Sequence, residues 1–485
     1  MVGAGAAGCV VAARLAECPS RSVLLLEAGP DLQANVPEEF RDGWRLAQEP
    51  EWGYASDPDA RGRVEELRRG KLLGGTSWLT RFAVRGSPAD FNDWEALGNP
   101  GWSFDDVLPY FRRLEADADF GDQPWHSDAG PLPITRYPDL ELPDIGAAGL
   151  RALEAVGFRS IEDHNRPGAV GAGRMPMSSS DGVRVTTADA YLPLGTTPDS
   201  LEIRSEAQVA DVVFDKKCAN GVRLLDGSVV EAGWVVLSAG TYGSPPILMR
   251  PGVGPADHLR SHGITVRLDL PAVGANLADH AGVDIDCGYR GPARSAPIFH
   301  LLATFHSSIT STSQAPDLML WLSDPRGDPP IFEIDVGLLR PRSRGSVRLR
   351  SADPAQPPRI ELPGLREPLD LERLAEAFVR GLEVAQHPEI RRLCADLPSP
   401  EPQAPAEVRE LVGANSYSVP HVVGTCRMGP HPEDGAVVDS SGRVHGTERL
   451  SVIDASIIPN GPSAFTHLPT IMLAERLSER LASVV

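Results

Sequence analysis

The 485-residue chain has 41% hydrophobic and 23% charged residues, with 47 Gly and 45 Pro, a loop-rich globular composition that excludes wholesale disorder and fibrous order. Its net charge of −20 repels phosphate backbones and anionic lipid, so nucleic acid is excluded as a partner. No apolar run approaches the roughly 18 residues of a bilayer span, and the start lacks the regions of a signal peptide, which predicts a soluble, unexported, cytoplasmic protein.

The opening MVGAGAAGCVVAARLAE sets Gly3, Gly5 and Gly8 in GxGxxG order ahead of a helical apolar stripe and the strand-like SVLLLEAG. In this motif the first glycine makes a tight turn, the second lets backbone approach a pyrophosphate, and the third lets the helix pack on the sheet. The helix N-terminus then faces the phosphates. Glu27 lies nineteen residues beyond Gly8, where a carboxylate accepts hydrogen bonds from adenosine ribose hydroxyls. The spacing predicts dinucleotide binding. Only Met1 and Val2 precede Gly3, although the motif follows a strand of about five or six residues. A strand that short at the centre of a doubly wound sheet leaves two edges exposed and the phosphate turn loose. The expectation is therefore that the native protein begins further upstream or that this chain is compromised.

Residues 34–70 are charged and Pro-containing, with RGRVEELRRGK expected as a solvated face, and Gly74 to Gly86 reads as a Gly-rich apolar loop. DFNDWEALGNPGWSFDDVLPYFRRLE predicts two short helices about a turn at Asn99-Pro100-Gly101. LEIRSEAQVADVVFD, GVRLLDG and VVEAGWVVLSAG predict a meander of strands feeding the turn and helix of SAGTYGSPPILM. Region 285–350 alternates like a sheet and DLERLAEAFVRGLEVAQ is an amphipathic helix. The final stretch ends in a helix predicted to start at Pro469. The six cysteines lack CxxC spacing and read as reduced, mostly buried thiols, and no three histidines have metal-ligand spacing, so no metal is expected.

Seven motifs in order, GAGAAG with LLLEAG, GGTSWLTRFAVRG with DFNDWE, SAGTYGSPPILM with GVGP, VGANLADH, RSRGSVRLRSADP, HVVGTCRMG, and VIDASIIP with HLPTIMLAERL, resemble the glucose–methanol–choline (GMC) oxidoreductases over nearly the whole chain. The resemblance implies a mixed α/β fold: a Rossmann-like FAD-binding domain (1–145, 195–275, 425–485) interleaved with a substrate-binding domain on an antiparallel sheet (146–194, 276–424). It implies FAD as cofactor, a small-molecule alcohol oxidised to a carbonyl by hydride transfer to flavin, and oxygen or another carrier as electron acceptor. Two alternatives are a hydroxynitrile-lyase-like member using the same scaffold and a catalytically compromised relative.

The family's active-site histidine falls on His421 and its partner on His467. An imidazole near its ordinary pKa of about 6.5 takes a hydroxyl proton at neutral pH, which makes His421 the candidate base and His467 the orienting partner, with exchange of roles open. The cofactor contacts carried over are Gly3, Gly5, Ala6, Ala7, Gly8, Glu27, Ala28, Gly74, Gly75, Thr76, Thr80, Val209, Ala239, Gly240, Asp454, Ala455, His467, Leu468 and Thr470. Asp454 is expected to orient backbone or ribityl hydroxyls, and the N-terminus of the last helix near Thr470 to face the flavin, its positive end favouring negative charge there and lowering the pKa of His467. Met472, Leu473 and Leu477 are expected in the core. His126 resembles a loop near the family's active-site entrance, while His431 and His445 decorate loops. Some relatives attach FAD through a histidine in the 76–82 loop; Leu79 and Thr80 offer none, so noncovalent FAD is expected. Val422 replaces a common proline and removes no chemistry.

Overall fold

The computed structural model describes residues 1–37, 50–136, 144–293, 299–396 and 404–485. In chain order its main elements are α1 (Ala6–Ala16), β1 (Val23–Leu26), α2 (Pro88–Ala96), α3 (Phe104–Leu114), α4 (Asp144–Ala155), β2 (Gly171–Arg174), β3 (Leu201–Arg204), β4 (Val209–Asp215), β5 (Cys218–Leu224), β6 (Val229–Glu231) and β7 (Val235–Leu237). There follow α5 (Gly240–Met249), β8 (Ala281–Gly288), β9 (Phe299–Phe305), β10 (Leu318–Ser323), β11 (Ile331–Leu338), α6 (Pro368–Gln386), α7 (Pro405–Asn415), β12 (Tyr417–Ser418), β13 (Leu450–Val452) and α8 (His467–Ala482).

A parallel sheet runs β3-β1, then Met1–Gly3, then β7-β13. Val2 pairs with both Leu26 and Leu237, so the short opening segment joins the two halves. Val2 N donates to Val236 O at 2.9 Å, Gly3 N to Leu26 O at 2.8 Å and Ser238 N to Val2 O at 2.7 Å. The edges of β1 and β7 are thus paired beside the phosphate turn, which the two residues before Gly3 do not suggest. The Met1 amine donates to Leu24 O at 2.9 Å, and burial pulls its pKa down to about 6.

Close packing fixes α1 on this sheet. A Cβ on Gly8 would lie 1.9 Å from the Gly3 carbonyl oxygen, and Gly3 itself sits at φ +91°, a conformation that L side chains rarely adopt. Arg14 of α1 grips Glu475 of α8 through two hydrogen bonds of 2.8 and 2.7 Å, and the Tyr191 hydroxyl donates to the same carboxylate at 2.7 Å. The helices predicted around Asn99-Pro100-Gly101 are α2, with a Ser87 capping box, and α3, capped by Ser103. The predicted meander is split. Only β4-β5-β6 form one, while β3 and β7 belong to the parallel sheet.

The second sheet has the order β12-β8-β11-β10-β9-β2 and is antiparallel throughout. Alternation gives it two distinct faces. Val283, Ile285, Phe332, Ile334, Val336, Leu318 and Leu320 pack against α4, α6 and α7 in one core. Gly381 of α6 allows that approach, since a Cβ there would lie 2.7 Å from Ile285. Met319, Trp321, Leu302 and Phe299 point to the other face, where they meet Val84, Met177, Ala464 and Phe465. That second face closes over a cavity whose far side is the parallel sheet. No helix among the described residues is long and apolar enough to cross a membrane.

Candidate active site

One cavity of about 480 Å³ runs from the glycine-rich turn to the second sheet. Its size lies within the usual range for ligand sites of roughly 300–1,000 Å³. Of the predicted residues, it brings together Gly3, Gly5, Ala6, Ala7, Glu27, Ala28, Gly75, Thr76, Thr80, Val209, Ala239, Gly240, His421, Asp454, Ala455, His467 and Thr470.

Three predicted contacts stand behind the wall. Gly8 is taken up by packing on Gly3. Gly74, at φ +97°, donates its N–H to Ala4 O at 2.8 Å and abuts the Trp78 indole. Leu468 is fully buried in the core with Met472, Leu473 and Leu477. His126 is also displaced from its expected place: it is 1% exposed inside an ion network, with Nδ1 2.7 Å from Glu115 and Nε2 3.1 Å from Asp163. Burial opposes its protonation, but the two carboxylates outweigh burial and raise its pKa. Glu115, Asp117 and His126 converge within 4.8 Å, a donor set that spacing alone did not reveal. The guanidinium groups of Arg85 and Arg136 already pair with these acids. His431 is exposed, and His445 bonds the Gly429 carbonyl at 3.0 Å. Of RGRVEELRRGK, expected as a solvated face, Arg68, Arg69 and Gly70 line the cavity.

At the dinucleotide end, α1 begins with no side-chain cap and no acidic residue in its first turn. A Cβ built on Gly5 meets nothing within 4 Å, so open space faces this helix N-terminus. Glu27 accepts from Ala4 N at 2.8 Å and Gly29 N at 3.0 Å, and burial pushes its pKa up to about 7. Each of its oxygens keeps a further lone pair for a hydroxyl donor. Asp454 accepts from Gly240 N at 2.9 Å, Ser244 Oγ at 2.6 Å and Ser456 N at 2.8 Å, and so ties together the backbone beside α5.

At the other end stand the two histidines. His467 is the first residue of α8, and its buried Nε2 has no hydrogen-bond partner. Burial, followed by the charge of Arg184, lowers its pKa to about 4. His421 is half-buried and its pKa is held well below 6.5 by burial first, then by His280 and Arg69. Its ring lies 4.9 Å from Phe465 and 6.3 Å from Trp321, centroid to centroid. Both imidazoles are therefore neutral at neutral pH.

The residues that hold His421 were missed in the sequence, although they lie in the quoted VGANLADH. Asp279 Oδ1 accepts from His421 N at 2.7 Å, and its carboxyl is pushed up to about 7 by burial. His280 Nε2 donates to the Pro462 carbonyl at 3.1 Å. A carbonyl only accepts, so this bond fixes the proton of His280 on Nε2 and leaves Nδ1 as an acceptor. That Nδ1 lies 3.0 Å from His421 Nδ1, which must then donate. The His421 proton is thereby held on Nδ1, and its Nε2 lone pair is free. Phe82, Phe465, Trp321, Tyr417 and Asp335, also missed, complete this end of the cavity.

Models of the GMC oxidoreductase family match residues 1–282 and 341–474. The chain belongs to this family. It is an FAD-dependent alcohol oxidase or dehydrogenase of the GMC type. It is 34% identical to 5-(hydroxymethyl)furfural oxidase of Methylovorus sp. (strain MP688), covering 99% of this chain and 98% of that protein. It is 31% identical to an oxygen-dependent choline dehydrogenase of Rhizobium rhizogenes, covering 99% and 94% respectively. Among solved structures, the pyridoxine 4-oxidase from Mesorbium loti superposes with a TM-score of 0.91 at 28% identity, over 99% of this chain and 98% of that one. The cradle at Gly5, the acceptor Glu27 and the unpartnered His467 Nε2 all face one cavity and fit FAD.

Proposed function

We propose that this GMC oxidoreductase converts an alcohol to a carbonyl with His421 as general base and His467 as the group that holds the substrate oxygen. The observation that carries the reading is the pair of imidazoles kept neutral on one cavity, one with its Nε2 lone pair freed by His280 and the other with Nε2 unpartnered. FAD held along Gly3, Gly5, Ala6, Glu27 and Asp454 supplies a two-electron acceptor for the carbinol hydride. His421 Nε2 takes the hydroxyl proton as the C–H electron pair departs and the C=O bond forms. His467 Nε2–H donates to the same oxygen and stabilises the negative charge that develops there. Phe82, Phe465 and Trp321 exclude water and hold the carbinol against the imidazoles.

FAD is noncovalent in this reading, because His421 and His467 are the histidines lining the cavity among the described residues, and the 76–82 loop adds none. An anaerobic visible spectrum recorded during titration with a panel of alcohols tests the function. Bleaching of the flavin by at least one alcohol is the expected result; a flavin left oxidised by every alcohol overturns hydride removal and favours a non-redox member. Repeating the titration in air identifies whether oxygen serves as acceptor.

A further inference from the structure

A second cavity, of about 250 Å³, lies behind the imidazole pair: His421 lines both it and the first cavity, while His280 faces only the second. The segment after β11 carries arginine at every second position, Arg340, Arg342 and Arg344, and Arg373 of α6 stands opposite. All four line this cavity, against two acids, Asp279 and Asp317. In a chain of net charge −20 this is a local concentration of positive charge. Two of the four guanidiniums are already answered, Arg340 by Asp93 and Arg373 by Asp317 and Asp370. The other two are not. Arg344 donates to neutral oxygens, Asn276 Oδ1 at 3.0 Å, Asn460 Oδ1 at 3.1 Å and the carbonyls of Pro341 and Ser343, and burial lowers its pKa against the pull of Asp370. Arg342 is exposed where the cavity meets solvent; its backbone N–H is bonded to Asp370, and its guanidinium meets no acceptor among the described residues. The lining acids are themselves engaged. Asp317 accepts from Ser307, Thr310 and Arg373, and Asp279 from His421 N and Ser418 Oγ.

We propose that this second cavity binds a phosphate dianion, free or carried on a small phosphomonoester, through Arg342, Arg344 and the amides of Asn460 and Gln314. The amides are oriented for it. Asn460 turns its oxygen to Arg344 and Gln314 turns its oxygen to Ser311 N, so each leaves its NH₂ group as a donor without a partner among the described residues. Two guanidiniums without counter-charge match a dianion, and the planar fork of Arg342 suits two oxygens of one phosphate. Donors converging from the 340–344 segment, from Asn460 ahead of α8 and from Gln314 between β9 and β10 fit a tetrahedral oxyanion, whose several oxygens point apart, better than a halide. A planar monocarboxylate would answer one of the two charges. The site lies across the His280–His421 pair from the first cavity, so it stands independently of the alcohol reaction proposed there.

The test is calorimetric titration of the FAD-loaded enzyme, in which the flavin's own pyrophosphate fills the cradle at Gly5, with sodium phosphate and separately with glycerol 3-phosphate. A chloride buffer at about pH 8 keeps both probes dianionic and supplies halide as the competitor. Wild type should take up one equivalent of phosphate. Loss of a hydrogen bond to a charged group should weaken binding roughly 10- to 150-fold in Arg342→Gln, whose exposed position spares the fold. Asn460→Asp keeps the acceptor for Arg344 and exchanges the free donor for a negative charge, so it should abolish binding; the visible flavin spectrum reports that each variant remains folded. Tighter binding of glycerol 3-phosphate assigns the site to a phosphomonoester, and tighter binding of inorganic phosphate assigns it to the free ion. Absence of saturable binding to wild type, or binding that either variant leaves unchanged, overturns the site, and neither outcome bears on whether an alcohol reduces the flavin.

Discussion

His280 touches neither cofactor nor substrate in the proposed reaction, yet the geometry makes it a positioning residue for the base. Its Nε2 proton is committed to the Pro462 carbonyl, so its Nδ1 can only accept, and His421 answers with Nδ1–H. Replacing His280 by Phe leaves that Nδ1–H without an acceptor in a buried setting, which costs about 1–3 kcal/mol against the productive tautomer. The rate of flavin reduction should then fall roughly 5- to 150-fold. Asn at the same position presents an amide oxygen close to the place of the imidazole Nδ1, so His280→Asn should recover most of the rate although it loses the Pro462 bond. The pH profile adds a separate readout. Burial first, then His280 and Arg69, keep the His421 pKa low, and Asp279 accepts from the His421 backbone N–H. Removing His280 raises the His421 pKa, and since the base acts only when unprotonated, the acid limb of the reduction rate should move to higher pH in His280→Phe. Anaerobic stopped-flow reduction with the best alcohol, from pH 5 to 9, measures both effects. Equal losses in the Phe and Asn variants with an unmoved acid limb would refute the tautomer argument and leave His280 a packing residue.

Other consequences of the site are testable separately. His421→Ala should slow flavin reduction by about 10² to 10⁴, whereas His467→Asn, which keeps a hydrogen-bond donor, should lose far less; a His421→Ala enzyme as fast as wild type removes that residue from the mechanism. Acid precipitation should release all flavin into the supernatant, and colour retained in the pellet would contradict noncovalent binding. Gly3→Ala forces a Cβ to 2.6 Å from the Ser238 carbonyl oxygen at φ +91° and should destabilise the fold by at least about 1–3 kcal/mol in chemical denaturation. Gly5→Ala meets no protein atom, so the flavin-free protein should melt as wild type while its FAD affinity, measured by flavin fluorescence titration, falls; unchanged affinity would move the pyrophosphate away from Gly5.

The dinucleotide end of the cavity was legible because its chemistry is local. Gly3, Gly5, Gly8 and Glu27 lie within 27 residues, and each answers one backbone or ribose requirement that spacing expresses directly. Gly8 packs on the Gly3 backbone, as the third glycine of the motif is expected to do, whereas the packing of Gly74 against the Trp78 indole could not be read from its loop. The joining of β1 and β7 by Val2 could not be read from the N-terminus alone, because it depends on residues more than 200 positions away. His467 shows the same limit for electrostatics. Its position before a helix pointed to the dipole, whereas burial and Arg184, 283 positions earlier in the chain, set its low pKa. The substrate end is built almost wholly from such distant pairs. Asp335 reads in the sequence as one acid in an alternating strand, no different from Asp286; only the register against Trp321 and Asp284 turns it into a buried carboxylate facing the cavity. A single residue of slip between β10 and β11 would exchange Asp335 with Ile334 and present an apolar wall instead. Within the shared scaffold, this wall of the cavity is thus shaped by the register of the second sheet, and the motifs that identify the family carry little of it.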